Sequence, residues 1–217
     1  MNLKIIPTIK CESVDESIAY HPDIVLHPVN HNTLIVAPEV FDYYYNELNL
    51  LGIRLIKGTT NLGNLYPLDI SYNVGRVGKY AFHKLQYTDP ILRSYLNNQN
   101  IDFVNINQGY SKCSMAIIND SSIITADKNI HLKLLELGYD SLLIEAGYVE
   151  LKKQKYGFFG GATGNLTPDK ILFSGHIDDH PDKIKIIDFI KQKHVDIIYL
   201  SKEKITDIGT IICLNKG

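Results

Sequence analysis

The chain is poor in cysteine and has neither a long apolar run nor a block of charge of one sign. Its three cysteines, Cys11, Cys113 and Cys213, are odd in number and far apart. That excludes the paired spacings of zinc sites and disulfide frameworks, so all three read as free thiols. No apolar stretch approaches the roughly 20 residues that span a bilayer. Met1 to Lys10 lacks a charged region followed by an apolar stretch and a cleavage site, so a cytoplasmic protein without a membrane partner is expected. The 22 basic and 24 acidic residues are interspersed and leave a net charge of -2, which excludes the clustered Lys and Arg footprint of a nucleic-acid binder. What remains is a chain with 45% hydrophobic residues, enough for a full core and unlike a disordered segment.

A repeat of about 45 residues organises the sequence. Segments starting at Pro22, Leu68, Lys112 and Tyr156 read as equivalent first strands. Their second residues are 23, 69, 113 and 157, in steps of 46, 44 and 44. Each is followed by a second strand (33–37, 79–83, 122–126, 170–174), an amphipathic helix and a third strand (53–56, 101–106, 141–144, 195–200), from short β-branched and aromatic runs and helical periodicity. In the last helix Ile184, Ile187 and Ile190 recur while Lys183, Lys185, Asp188 and Lys191 stay wet. Asp89-Pro90 and His180-Pro181 predict helix starts, and Gly52, Asn100 and Gly138 fall just past helix ends. Residues 3–9 read as a third strand and 208–214 as a first strand. The predicted architecture is one α/β domain over 1–217, a propeller of ββαβ repeats at about 23–66, 67–110, 111–154 and 155–204. The termini, 1–22 and 205–217, complete a partial fifth unit that closes the ring and covers its edges.

These repeats resemble the pentein, or amidinotransferase-like, superfamily, whose members arrange five such units around a pseudo-five-fold channel. Gln-Gly-Tyr-Ser-Lys-Cys-Ser at 108–114 is similar to the glycine-rich approach to the nucleophilic cysteine of guanidine-modifying penteins, with Lys112 where a histidine is usual. Gly175-His176-Ile177-Asp178 resembles a Gly-His-x-Asp motif that supplies a proton-transfer histidine and a substrate carboxylate. In those enzymes the cysteine follows the histidine motif; here Cys113 precedes His176. The runs at 66–70, 108–113 and 157–162 look like an uncharacterised bacterial branch of the fold.

The resemblance implies a Cys-dependent hydrolase or transferase for a small guanidine or amidine compound, with no cofactor. Cys113 would be the nucleophile and His176 with Asp178 would manage protons. Asp23 and Asp69, at one repeat position, would hold the cation with charge-assisted hydrogen bonds, and His27, Asn73 and Lys112 would line the site. Bland readings stand beside these. Cys113 suits a buried strand position, aspartates before apolar runs shape turns, Asp178 and Asp179 suit a helix cap, and His27 and Asn73 suit a hydrogen-bonded core. The glycines at 160, 161 and 164 read as close backbone packing rather than a phosphate loop, because the Lys-Ser/Thr ending is absent. Two alternative functions remain. One is a non-catalytic pentein binding a protein or ribosomal partner, or a second copy of itself, through a surface such as Tyr43–Tyr45. The other is a metal-assisted hydrolase drawing on His27, His31, His176, Asp178 and His180, although these lack a helical His-x-x-x-His pair and no metal site is assigned.

Overall fold

The computed structural model describes residues 3–214. Unit one opens with a single helical turn, α1 (Pro22–Val25), followed by β1 (Leu26–Asn30), β2 (Thr33–Val36), α2 (Phe41–Leu48) and β3 (Arg54–Lys57). Unit two holds β4 (Gly75–Val77), β5 (Tyr80–His83), α3 (Pro90–Asn98) and β6 (Asp102–Asn105). Unit three holds β7 (Ala116–Asn119), β8 (Ser122–Thr125), α4 (Lys128–Glu136) and β9 (Asp140–Leu143). Unit four holds β10 (Thr163–Thr167), β11 (Lys170–Phe173), α5 (Lys183–Gln192) and β12 (Asp196–Tyr199).

Each unit is its own three-stranded sheet, with the first strand antiparallel and the third parallel to the second. The short hairpin supplies the antiparallel pair, and the helical crossover is what a parallel pair requires. The second and third strands lie within one or two residues of their predicted places. The first strands begin later than predicted, at Leu26, Gly75, Ala116 and Thr163, and the apolar runs before them are turns. Leu26 N donates to Pro22 O, Asn73 N to Ile70 O at 2.8 Å and Met115 N to Lys112 O at 3.1 Å, while Gly160–Ala162 is a 3-10 turn. Asp23, Asp69 and Cys113 therefore sit in turns ahead of the strands. Asp23 and Asp69 also lose their shared register, lying three residues before β1 and six before β4.

Helix starts follow their caps. Asp89 accepts from Leu92 N at 3.0 Å and from the amides of Thr59 and Thr60, both at 2.8 Å. Asp127 caps α4 through Asn129 N and Ile130 N. The His180-Pro181 expectation is displaced: α5 begins at Lys183 after Asp182. Apolar clusters join neighbouring units. Ile35 and Leu92 share one cluster, Phe82 and Ile123 a second, and Ala116 and Phe173 a third.

Neither predicted terminal strand forms among the described residues, and the outer ends of the fifth-unit expectation, 1–2 and 215–217, lie outside them. Consecutive positive φ values at Gly209 and Thr210, both +72°, are incompatible with a strand there. The C-terminal segment is nonetheless held from both sides. Ile208 N and Thr210 N donate to Gly161 O at 3.1 and 2.6 Å, Ile211 N donates to Thr163 O at 3.2 Å, and Asp23 N donates to Gly209 O at 3.1 Å. At the other terminus Tyr43 Oη donates to Pro7 O at 2.9 Å; Tyr44 is buried, and Tyr45 is exposed. No helix among the described residues is long and apolar enough to cross a membrane.

Candidate functional site

The turns ahead of the first strands bring polar side chains from separate units together. Pro22 stands at the first helical position of α1, where its missing N–H costs least, and α1 turns Asp23 inward until it is 1% exposed. Cys113 Sγ donates to Asp23 Oδ2 at 3.0 Å. Asn73 ties three units together. Its Nδ2 donates to Asp23 O at 3.2 Å and to Cys113 Sγ at 3.1 Å, and its Oδ1 accepts from Lys112 N at 2.9 Å and Cys113 N at 3.3 Å. Lys112 Nζ donates to Thr210 Oγ1 at 2.8 Å and to Gly160 O at 3.3 Å.

Burial pushes the Cys113 thiol well up from its ordinary value; the Asp23 and Asp207 carboxyl groups push the same way, and the Asn73 amide pulls only partly back. The resting group is a protonated thiol. Burial pushes Lys112 down, against Asp23, Cys113 and Asp207.

Asp207, absent from the sequence reading, belongs to this cluster. It is 3% exposed, its Oδ2 accepts from Phe158 N at 2.8 Å, its Oδ1 from Gly209 N at 3.0 Å, and His21 Nδ1 lies 3.8 Å away. Burial raises its pKa, and Asp23 adds to the effect. Close packing explains these glycines: a Cβ at Gly157 or Gly161 would collide with Asp207, and one at Gly160 would meet the backbone of Met115 and, at 2.6 Å, Cys113 O.

A cavity of about 400 Å³ runs from this cluster along the first strands. It is lined by His27 of β1, Arg76 of β4, Ile117 of β7, Gly164 of β10 and Ile211 of the C-terminal segment, with Asp23 and Lys112 in its wall. His27 is 4% exposed and its Nε2 has no partner among the described residues. Burial, reinforced by Arg76, pushes its pKa down to about 3, so the ring is neutral. Asp23 Oδ1 is likewise buried without a partner. Such orphaned acceptors cost free energy unless a ligand supplies a donor.

Other predicted site residues lie elsewhere. Asp69 is 2% exposed and accepts from Tyr110 Oη at 2.6 Å, with its pKa raised by burial; it is bonded to none of Cys113, Asp23 and Asn73. The His176 ring stacks on Tyr199, centroids 4.2 Å apart, and lies 3.7 Å from Asp178, which is exposed and pairs with Lys183. Neither His176 nor Asp178 lines the cavity or bonds to Cys113. No three His, Cys, Asp or Glu side chains among the described residues come together as a metal-ligand set.

A family model described as a family of unknown function (DUF6873) matches residues 1–212. The chain belongs to this family. No curated protein matches it. Among solved structures, the DUF6873 chain is similar to an amidinotransferase from Microseira wollei in the saxitoxin biosynthetic pathway, with 13% identity, a TM-score of 0.51 and coverage of 84% of this chain and 64% of that one. A second is DDAH from Pseudomonas aeruginosa, as a mutant complexed with citrulline, at 7% identity, a TM-score of 0.49 and coverage of 83% and 68%. The DUF6873 chain thus spans about two thirds of the length of these structures. Its fold is of the pentein type.

Proposed function

We propose that the chain closes as a five-fold pentein, with its termini as the reduced fifth wedge, and that the channel acts on a small guanidino or amidine compound. The observation that carries this reading is the unpartnered Asp23 Oδ1 in the wall of a cavity to which all four first strands and the C-terminal segment contribute. A planar cation with several N–H groups satisfies that oxygen and His27 Nε2 together.

Asp23 Oδ2 already accepts from Cys113 Sγ, so it is placed to take the thiol proton. The thiolate then attacks the central carbon of the bound cation; the C–N bond breaks, and the departing amine takes the proton from Asp23. Water adds to the resulting amidino-thioester carbon, the C–S bond breaks, and Cys113 recovers its proton. Asn73 Nδ2 and Lys112 stabilise the thiolate, and the bound cation offsets the carboxyl groups that hold the thiol protonated. In this scheme Asp23 performs the proton transfer first expected of His176 and Asp178.

The upward shift of the Cys113 thiol favours the second reading, a non-catalytic pentein with a protein partner. Alkylation separates the two. A haloacetamidine and its neutral isostere, a haloacetamide, each lose halide to a thiolate, but only the amidine carries the cation. Cys113 is expected to react at least about tenfold faster with the amidine, and Asp23→Asn is expected to abolish that preference while raising the rate with the neutral amide. Cys11, which does not line the cavity, serves as the internal control in peptide mass spectra. Equal rates with both reagents at Cys113 would remove the guanidino reading.

A further inference from the structure

A second cavity, about 160 Å³ in volume, lies where the loops after β8 and β9 meet the segment before β10. That volume suits a small molecule: an apolar cavity of about 150 Å³ accommodates benzene. Its lining residues include the aromatic Tyr148, Phe158 and Phe159, the acidic Asp127 and Glu145, and Ser114, with no lysine or arginine. Ser114 follows Cys113 in the chain, yet lines this cavity and not the channel.

We propose that this cavity is a second binding site, for a small organic cation carrying at least one N–H, of the alkylammonium class. Three observations converge on that chemistry. Ser114 is 3% exposed and its Oγ has no hydrogen-bond partner among the described residues, so a donor from a ligand gains a bond that the protein alone leaves unmade. Aromatic rings attract a cation, most strongly where water is excluded. Asp127 caps α4 and accepts from Gln108 Nε2 at 3.4 Å, and Glu145 is exposed at the rim, so the acidic residues of the lining face no lysine or arginine within it. His180, also in the wall, is not a competing charge: its Nδ1 accepts from Asp182 N at 3.0 Å, and burial pushes its pKa down.

The site is independent of the channel chemistry, and methyl NMR reads the two separately. Ala126, Ile144 and Val149 line this cavity, whereas Val74, Ile117 and Ile211 line the channel. The probes are isobutylammonium and the uncharged isobutanol. Saturable shifts of the Ala126, Ile144 and Val149 methyls are expected with isobutylammonium, with isobutanol at least roughly tenfold weaker. Ser114→Ala is expected to weaken the ammonium titration and leave folding intact, because Ser114 Oγ bonds to nothing in the protein; Asp23→Asn should leave these three methyls responding as before. Comparable shifts with isobutanol would make the cavity merely apolar and overturn the proposal. So would methyls that stay unmoved at millimolar ammonium, or an Ser114→Ala titration identical to wild type.

Discussion

Burial decides the protonation of this protein's core side chains, and the histidines show it most clearly. His27 is pushed from 6.5 down to about 3, and His83, with Nδ1 2.6 Å from Thr88 Oγ1, down to about 4, in each case chiefly by burial. A histidine depressed by folding stays neutral in the native chain while the unfolded chain takes up a proton below about 6.5, so stability is full above that value and is lost as pH falls toward the folded values. Asp69 and Asp207 act in the opposite sense: raised by burial, they favour the folded chain at low pH and withdraw that support as pH rises. A replacement isolates one contribution. The stability of wild type relative to His27→Gln, from urea unfolding, is expected to shift in favour of wild type by more than about 1 kcal/mol as pH rises from about 4 to 7; a difference that stays constant would mean that His27 takes up its proton as readily in the folded chain as in the unfolded one. Part of this residue-level picture was legible in the sequence. Asp23, His27, Asn73, Lys112 and Cys113 follow from the repeat and the Gln-Gly-Tyr-Ser-Lys-Cys run; the structure puts Asp23, His27 and Lys112 in one cavity wall, with Asn73 and Cys113 bonded to Asp23 but outside the lining. Asp207 was not legible, because its proximity to Asp23 arises only from how the C-terminal segment crosses unit four. The Gly-His-x-Asp run is visible locally, but the position of His176 against Tyr199 is set by packing that a motif does not encode.

The elements repeat more faithfully than their sequences do. Two residues before every third strand stands one with left-handed backbone: Gly52 at φ +79°, Asn100 at +56°, Gly138 at +81° and His194 at +56°. Three of the four positions were readable, since glycine and asparagine mark helix ends. His194 was not, because histidine marks a helix end far less specifically than glycine or asparagine. The pattern sets an order of stabilities. A Cβ at Gly52 or Gly138 meets nothing within 4 Å, so Gly52→Ala and Gly138→Ala test backbone strain alone and are expected to cost about 1 kcal/mol each. His194→Gly is expected to gain roughly 0.5 to 1 kcal/mol and Asn100→Gly less, since asparagine tolerates this conformation better. Thermal or urea unfolding of the four variants checks the order; a destabilising His194→Gly would show that its side chain contributes more than its backbone costs. The displaced first strands have a related cause. Ile24, Val25, Ile70, Tyr72 and Met115 are as buried as any strand residue, so hydrophobicity could not separate a helical turn from an extended run. The hydrogen bonds of the turns decided it.

At the scale of the whole molecule, the C-terminal segment is the contact between the end of the repeat series and its beginning. Through Gly161 and Thr163 it is bonded to unit four, through Gly209 to Asp23 of unit one, and its Thr210 hydroxyl accepts from Lys112 of unit three. Ile212 and Leu214 pack against the cluster that joins units one and two, as do Ile6 and Ile9 from the other terminus. The segment thus lines the larger cavity as well as acting as a structural clasp, although it forms no strand. Removing residues 205–217 takes away buried Ile205, orphans the Asp23 amide, and leaves Lys112 with Gly160 O as its remaining hydrogen-bond acceptor. Burial of one isoleucine and loss of several buried hydrogen bonds together are expected to lower stability by at least about 3 kcal/mol. The same truncation is expected to open the channel, so that Cys113 reacts with a bulky neutral maleimide that does not reach it in the intact chain. Ile208→Ala, at a residue 41% exposed, should change neither property by much. A truncated chain with the unfolding midpoint and maleimide rate of the intact protein would mean that the four repeats support each other without closure, and that the channel is formed by the first strands alone.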